Sequence, residues 1–162
     1  MIQKKICMLG GFGVGKTSLV SRFVHSIFSE KYLTTLGVKI DKKSVEVGNE
    51  HVDLILWDIH GEDELQKINM SYLRGAAGYL LVIDGTRPAT LDTALAVHES
   101  AQRLVGRVPV VIALNKADLA GRWEIDERRL EPLGYPIVKT SAKTGAEVEE
   151  TFLRLARDVI AV

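Results

Sequence analysis

The sequence predicts an α/β domain on a mostly parallel sheet with helices on both faces, and three observations lead there. Short apolar runs alternate with amphipathic segments along the whole 162-residue length. A glycine-rich loop, Gly10 to Thr17, follows the first apolar run, Ile6-Cys-Met-Leu9, and precedes the helix-compatible Ser18-Leu-Val-Ser-Arg-Phe-Val24. Polar signals also stand directly after four expected strands, at Leu9, Asp58, Asn115 and Thr140, and ligands of such open sheets sit beyond the strand carboxyl ends.

The apolar runs place strands over 4–9, 37–47, 52–58, 78–84, 108–115 and 136–140. The amphipathic segments place helices over 16–26, 63–74, 89–105, about 126–132, and 147–161. Val45-Glu-Val-Gly-Asn-Glu-His-Val52 reads as a hairpin turning at Gly48-Asn49, so the second strand is expected antiparallel to the third and the rest parallel. No composition shift, linker or internal repeat divides the chain, and residues 1–162 are expected to form one domain. That length suffices to bury roughly 70% of the unfolded surface in one core.

Lysine plus arginine equals aspartate plus glutamate at 21 each. No global field therefore draws the chain to nucleic acid or anionic lipid, and binding has to come from a local site. Cys7 is the only cysteine, so no disulfide forms within the chain, which suits a reducing cytoplasm. No apolar stretch approaches a membrane span, Met1-Ile-Gln-Lys-Lys lacks a signal-peptide pattern, and the last residues offer neither a prenylation cysteine nor a basic run. The expectation is a cytoplasmic monomer without a direct membrane anchor.

Gly10 to Thr17 fits the phosphate-cradling pattern G-x-x-x-x-G-K-[ST]. Its small residues let successive backbone N–H groups turn toward a polyphosphate, and the following helix aims its positive dipole end at the same charge. Gly10, Gly13, Val14, Gly15, Lys16, Thr17 and Ser18 are the expected cradle, with Lys16 reaching the outer phosphates and Thr17 offering its hydroxyl to Mg²⁺. Trp57-Asp58-Ile-His-Gly61 supplies a strand-terminal carboxylate that can hold Mg²⁺ through a water, and a glycine whose N–H can approach a terminal phosphate. By itself a strand-terminal aspartate is also a common turn cap.

Asn115-Lys116-Ala117-Asp118 bears on base choice. A carboxylate at Asp118 accepts from both the ring N–H and the exocyclic amine of guanine, whereas adenine presents no ring N–H there. Asn115 would tie neighbouring loops together and the stem of Lys116 would lie along the base plane. Ser141-Ala142-Lys143 offers backbone N–H groups to the guanine carbonyl oxygen; the competing reading makes Ser141 a cap for the last helix.

Together with Tyr32-Leu-Thr-Thr35-Leu-Gly37 and Ser71-Tyr72-Leu73-Arg74-Gly75, these motifs give a chain that resembles a Ras-superfamily small GTPase over essentially its whole length, most like the Rab branch. The resemblance implies a P-loop NTPase G domain, with six strands, one of them antiparallel, and about five helices. It also implies a GTP-binding switch that hydrolyses GTP to GDP, with GTP and GDP as substrate and product and Mg²⁺ as cofactor. Thr35 would touch Mg²⁺ and the γ-phosphate from switch I, about 26–37, and Phe28 would lie against the guanine or staple the first helix. Switch II would span about 59–70. The metal ligands would be Thr17, Thr35 and Asp58, and the catalytic groups Lys16, Thr35, Gly61 and Glu62. Effector, exchange-factor and GTPase-activating proteins would read the switches together with Ile40, Trp57 and Tyr72, positions for which core packing is an equal alternative.

Three departures from the family pattern bear on hydrolysis. Glu62 stands where glutamine is usual, leaving three readings open: it orients the attacking water, acts as a weak base, or does neither. Phe12 stands where a small residue is usual, and either crowds the approach of a partner's arginine or packs onto switch II. Ile59-His60 replaces a small pair, and a lone histidine such as His60 is more often an exposed side chain than a catalyst. No arginine lies between Ser26 and Gly37 to serve as a finger in cis. A GTP-loaded scaffold that barely hydrolyses, owing to Phe12 and Glu62, is the alternative function. A small P-loop kinase would need an arginine-rich acceptor lid that the sequence does not contain.

Overall fold

Strand β1 (Ile2–Gly10) lies inside the sheet because both its faces are apolar, Ile6 and Met8 on one side and Cys7 and Leu9 on the other. The structure, a computed structural model, describes residues 2–26, 38–59 and 70–162. Helix α1 (Lys16–His25) follows, then β2 (Val38–Val47), β3 (Glu50–Ile59), β4 (Gly78–Asp84), α2 (Ala89–Val105), β5 (Val110–Asn115), β6 (Ile137–Lys139) and α3 (Val148–Ile160). The strands form one sheet in the order β2-β3-β1-β4-β5-β6. Strands β2 and β3 pair antiparallel through the two-residue Gly48-Asn49 turn, and all other neighbours are parallel. The expected fold class is therefore the observed one.

Period-two alternation splits the sheet residues between two cores. Leu80, Val82, Val111 and Ala113 join Ile6 and Met8 beneath α1 and α3, while Tyr79, Leu81, Ile83, Ile112 and Leu114 join Cys7 and Leu9 beneath α2. Helix α3 buries Val148, Thr151, Phe152, Leu155, Ala156 and Val159, the i, i+3, i+4 stripe of an amphipathic helix. Its Phe152 stacks on Phe23 of α1 with ring centroids 4.3 Å apart, which fixes one helix against the other.

The four expected helical segments that lie wholly within the described residues carry helix, but not always α-helix. Over 126–132 the chain makes two 3₁₀ turns, Glu127–Arg129 and Glu131–Leu133, because Pro132 supplies no amide hydrogen and Asp126 bonds the Arg128 amide locally. Of the segment 63–74, residues 63–69 lie outside the described residues and Met70–Leu73 is a 3₁₀ turn. The second strand was expected from residue 37, which also lies outside them. Among the described residues no helix is long and apolar enough to cross a membrane. Buried Cys7 has its thiol pushed up to about 12 by desolvation, so it is packing rather than a nucleophile.

One buried histidine gives the fold a pH signature. His98 of α2 is 5% exposed, with Nδ1 2.6 Å from the Tyr79 hydroxyl and its ring edge-on to Tyr135. Desolvation holds its pKa below the ordinary 6.5, so the unfolded chain takes up a proton that the native state refuses. Stability is thus complete above that value and falls as pH drops through it, by up to about 1.4 kcal/mol per pH unit. Urea denaturation of wild type and His98→Asn from about pH 7.5 to about pH 5.5 should show the component lost in the variant.

Candidate nucleotide-binding site

The phosphate-type loop runs between β1 and α1 and is pinned on both sides. Gly10 has φ +149°, and a Cβ there would stand 2.4 Å from the Val82 carbonyl oxygen of β4. Gly15 has φ +104°, and a Cβ there would stand 2.2 Å from Asn115 Nδ2. Neither site admits a side chain, so the loop backbone lies directly against its neighbours. Gly15 accepts from Leu19 N to close the first turn of α1. Gly13 and Val14 cross between these pins, and Ser18 is half-buried in the first helical turn.

Lys16 is 6% exposed, and its Nζ donates to the carbonyls of Gly10 and Gly11 at 3.1 Å each. Desolvation drops its pKa to about 8, partly offset by the Asp58 carboxylate. Asp58, at the end of β3, is buried and accepts from the Thr17 hydroxyl at 2.5 Å. A hydroxyl and a buried carboxylate side by side suit Mg²⁺, which takes few protein oxygens and completes its shell with water and phosphate. Among the described residues no group of three or more His, Cys, Asp or Glu forms a metal cage.

At the end of β5, Asn115 joins three segments. Its Nδ2 donates to Val14 O at 3.0 Å, and its Oδ1 accepts from Thr140 Oγ1 at 3.1 Å and from Ala142 N at 3.4 Å. Lys116 reaches back, its Nζ 3.2 Å from Gly13 O and 2.8 Å from Asp84 Oδ2. Asp118 opens the 3₁₀ turn Ala117–Arg122; its exposed carboxylate accepts from Ser141 Oγ at 2.8 Å. Ser141 in turn accepts from Thr144 N, and α3 starts only at Val148, so Ser141 orients Asp118 rather than capping the last helix. Ala142 is buried and Lys143 exposed at the same edge.

Two residues of this cluster escaped the sequence reading. Asp84, fully buried at the end of β4, accepts from both the amide and the hydroxyl of Thr86 and faces Lys116 and Arg87. Burial alone would raise its pKa, but Lys116 and Thr86 hold it below the usual carboxylate range. Its signal is the one Asp58 shows, an acid closing an apolar run. The other is Arg22 of α1, which carried no motif.

Phe28, Thr35, His60, Gly61 and Glu62 lie outside the described residues. Phe12 is 37% exposed, and its carbonyl accepts from Arg87. Ile40 is 51% exposed, whereas Trp57 and Tyr72 are half-buried with ring centroids 6.2 Å apart and Lys5 Nζ 3.7 Å above Trp57.

A six-stranded sheet with a glycine-rich strand-to-helix loop, and base-side loops at the same edge, defines an α/β P-loop nucleotide-binding domain. The chain belongs to the Ras family, whose sequence model matches residues 5–161. It is 32% identical to the Ras-related protein Rab-8B of Homo sapiens over 161 residues, covering 96% of this chain and 78% of that protein. It is likewise 32% identical to the GTP-binding protein yptV2 of Volvox carteri over 163 residues, covering 97% and 75%. Rab-8 of Diplobatis ommata is 31% identical, covering 96% and 77%.

The contact between Gly15 and Asn115 predicts the cost of a single methyl group. Gly15→Ala should destabilise the protein by about 2 kcal/mol or more, because the Cβ strains the backbone and displaces a buried amide. Guanidinium denaturation checks it.

Proposed function

We propose that this protein is a GTP-binding molecular switch that hydrolyses GTP slowly to GDP and phosphate. The observation that carries the reading is the junction at Asn115, which holds the phosphate-type loop and the two base-side loops within hydrogen-bond reach. The phosphates would lie over the Gly10–Thr17 loop, with the N–H groups of Gly13, Val14, Gly15, Lys16, Thr17 and Ser18 turned toward them. Lys16 would exchange its contacts with the loop carbonyls for outer phosphate oxygens. Thr17, Thr35 and, through a water, Asp58 would hold Mg²⁺. When bound, Mg²⁺ neutralises charge on the β- and γ-phosphate oxygens.

The base would lie along the stem of Lys116, its ring N–H and amine donating to Asp118, with Phe28 at its edge. The N–H groups of Ala142 and Lys143 would meet its carbonyl oxygen. A water would attack the γ-phosphate in line; Lys16 and the N–H groups of Gly13 and Gly61 would stabilise the developing charge, and Glu62, on one of its three readings, would orient the water. The intrinsic rate is expected at roughly 10⁻⁴ to 10⁻² s⁻¹. Thr35 and Gly61 would couple switches I and II to the γ-phosphate, and exposed Ile40 with the Trp57–Tyr72 pair would present nucleotide state to effector, exchange-factor and activating partners. The chain would act as a cytoplasmic monomer.

Calorimetry in the presence of Mg²⁺ should show GTP and GDP bound and ATP not. Asp118→Ala should weaken GTP by about 10² to 10⁴-fold through the loss of two charge-assisted hydrogen bonds. Equal affinity for ATP in the wild type would sink the reading.

The scaffold alternative retains an observation in its favour, the 37% exposure of Phe12 at the loop surface where an activating arginine would enter. Chromatography of nucleotide released after single-turnover incubation with GTP separates the two, GDP supporting the enzyme and persisting GTP the scaffold. In Glu62→Ala, phosphate release should slow by about tenfold or more if Glu62 orients the water.

A further inference from the structure

The guanidinium of Arg22 spans two elements far apart in sequence. It projects from the last turns of α1, where its Nε donates to Ala142 O at 2.8 Å and its Nη2 donates to Lys143 O. The first carbonyl belongs to the 142–143 peptide unit, whose other end is the Lys143 N–H, and the second to the 143–144 unit that follows it. Holding both carbonyls fixes these two peptide planes, and with the first of them the direction in which the Lys143 N–H points. Beside Arg22, Phe23 stacks on Phe152 of α3 and packs the end of α1 against that helix. The other face of the side chain lines a cavity of about 220 Å³ together with Phe23, Ser26, Lys43, Gly145 and Glu149. Arg22 therefore forms a strut between solvent and the base-side loop, and the Asn115 junction supports that loop from the opposite side through Ala142 N.

We propose that Arg22 is a positioning residue for guanine recognition, acting through the 142–143 peptide unit to set the Lys143 N–H toward the purine carbonyl oxygen. This rests on the GTP-switch reading above and assigns within it a determinant of base choice outside the nucleotide motifs. Arg22 acts at the 6-position of the base alone. Asp118, which would read the other edge, accepts from the Ser141 hydroxyl, while Arg22 contacts the carbonyls of Ala142 and Lys143.

The test measures dissociation of GDP, 6-thio-GDP and IDP from wild type, Arg22→Ala and Arg22→Lys, with circular dichroism confirming the fold. Replacing the carbonyl oxygen by sulfur acts chiefly on the acceptor that would face the loop, and removing the amine in IDP acts chiefly on the contact with Asp118. Arg22→Ala should release GDP about tenfold faster, matching the loss of hydrogen bonds to a charged group. Its sulfur penalty should shrink by a similar factor while the IDP penalty stays within about twofold of wild type. Arg22→Lys, which keeps the charge but not the two-pronged donor, should fall between them and carries the same test if the alanine variant does not fold. GDP release within about twofold of wild type in both variants, or both penalties shrinking together, would overturn the assignment. Failure of wild type to hold GDP at all would instead remove the switch reading on which it rests.

Discussion

The side-chain amide of Asn115 is the constraint on which the site depends. It is 2% exposed, its nitrogen is committed to the phosphate-type loop and its oxygen to the segment after β6. A buried amide that loses a partner costs about 1–3 kcal/mol, so the three segments move together or not at all. The same constraint explains Gly15, since the amide occupies the space a Cβ would need. In the proposed complex the span from phosphates to base would thus be set by this one side chain.

Topology brings those segments within its reach. Strand β1 pairs with both β3 and β4 in parallel, so the loop after Gly10 emerges next to the ends of β3 and β4, where Asp58 and Asp84 stand. Strand β5 follows beside β4, carrying Asn115 level with Asp84. Two separate cores, one under α1 and α3 and one under α2, hold this edge from both faces. The stacking of Phe23 on Phe152 then sets where Arg22 can reach. Packing remote from the ligand edge decides the geometry at it.

Much of this was legible in the sequence because it is written locally. Strand-loop-helix order and the hairpin at Gly48-Asn49 depend on residues close together in the chain, and each stands where its pattern placed it. What stayed illegible depends on partners distant in sequence. Asp84 reads as a strand-terminal acid until Lys116 is seen at 2.8 Å, and Arg22 reads as a solvated helix charge until the carbonyls of Ala142 and Lys143 come under it. The segment 126–132 has helical spacing, yet Pro132 and the local bond from Asp126 favour 3₁₀ turns. Trp57 carries no local sign of its half-burial beneath Lys5, which is fixed only by the pairing of β3 with β1.

The charges along this edge are unequal in a way that gives the site a direction. At the phosphate end a cation, Lys16, is buried deeply enough that desolvation brings its pKa to about 8, so the site holds an under-solvated positive group that a polyanion would stabilise. Asp58 and Asp84, the two buried carboxylates nearby, each have a lysine close at hand, Lys16 and Lys116, so neither presents an uncompensated negative charge to an incoming phosphate. At the other end the carboxylate of Asp118 is exposed and oriented by Ser141. In the proposed complex an anionic tail would be drawn to the first end and a donor-bearing ring to the second, and the reverse orientation would set phosphate against Asp118 and leave Lys16 without an acceptor beyond its own loop. Orientation of the proposed ligand would thereby follow from the desolvation of one lysine and the solvation of one aspartate, with the Asn115 amide joining the segments between them.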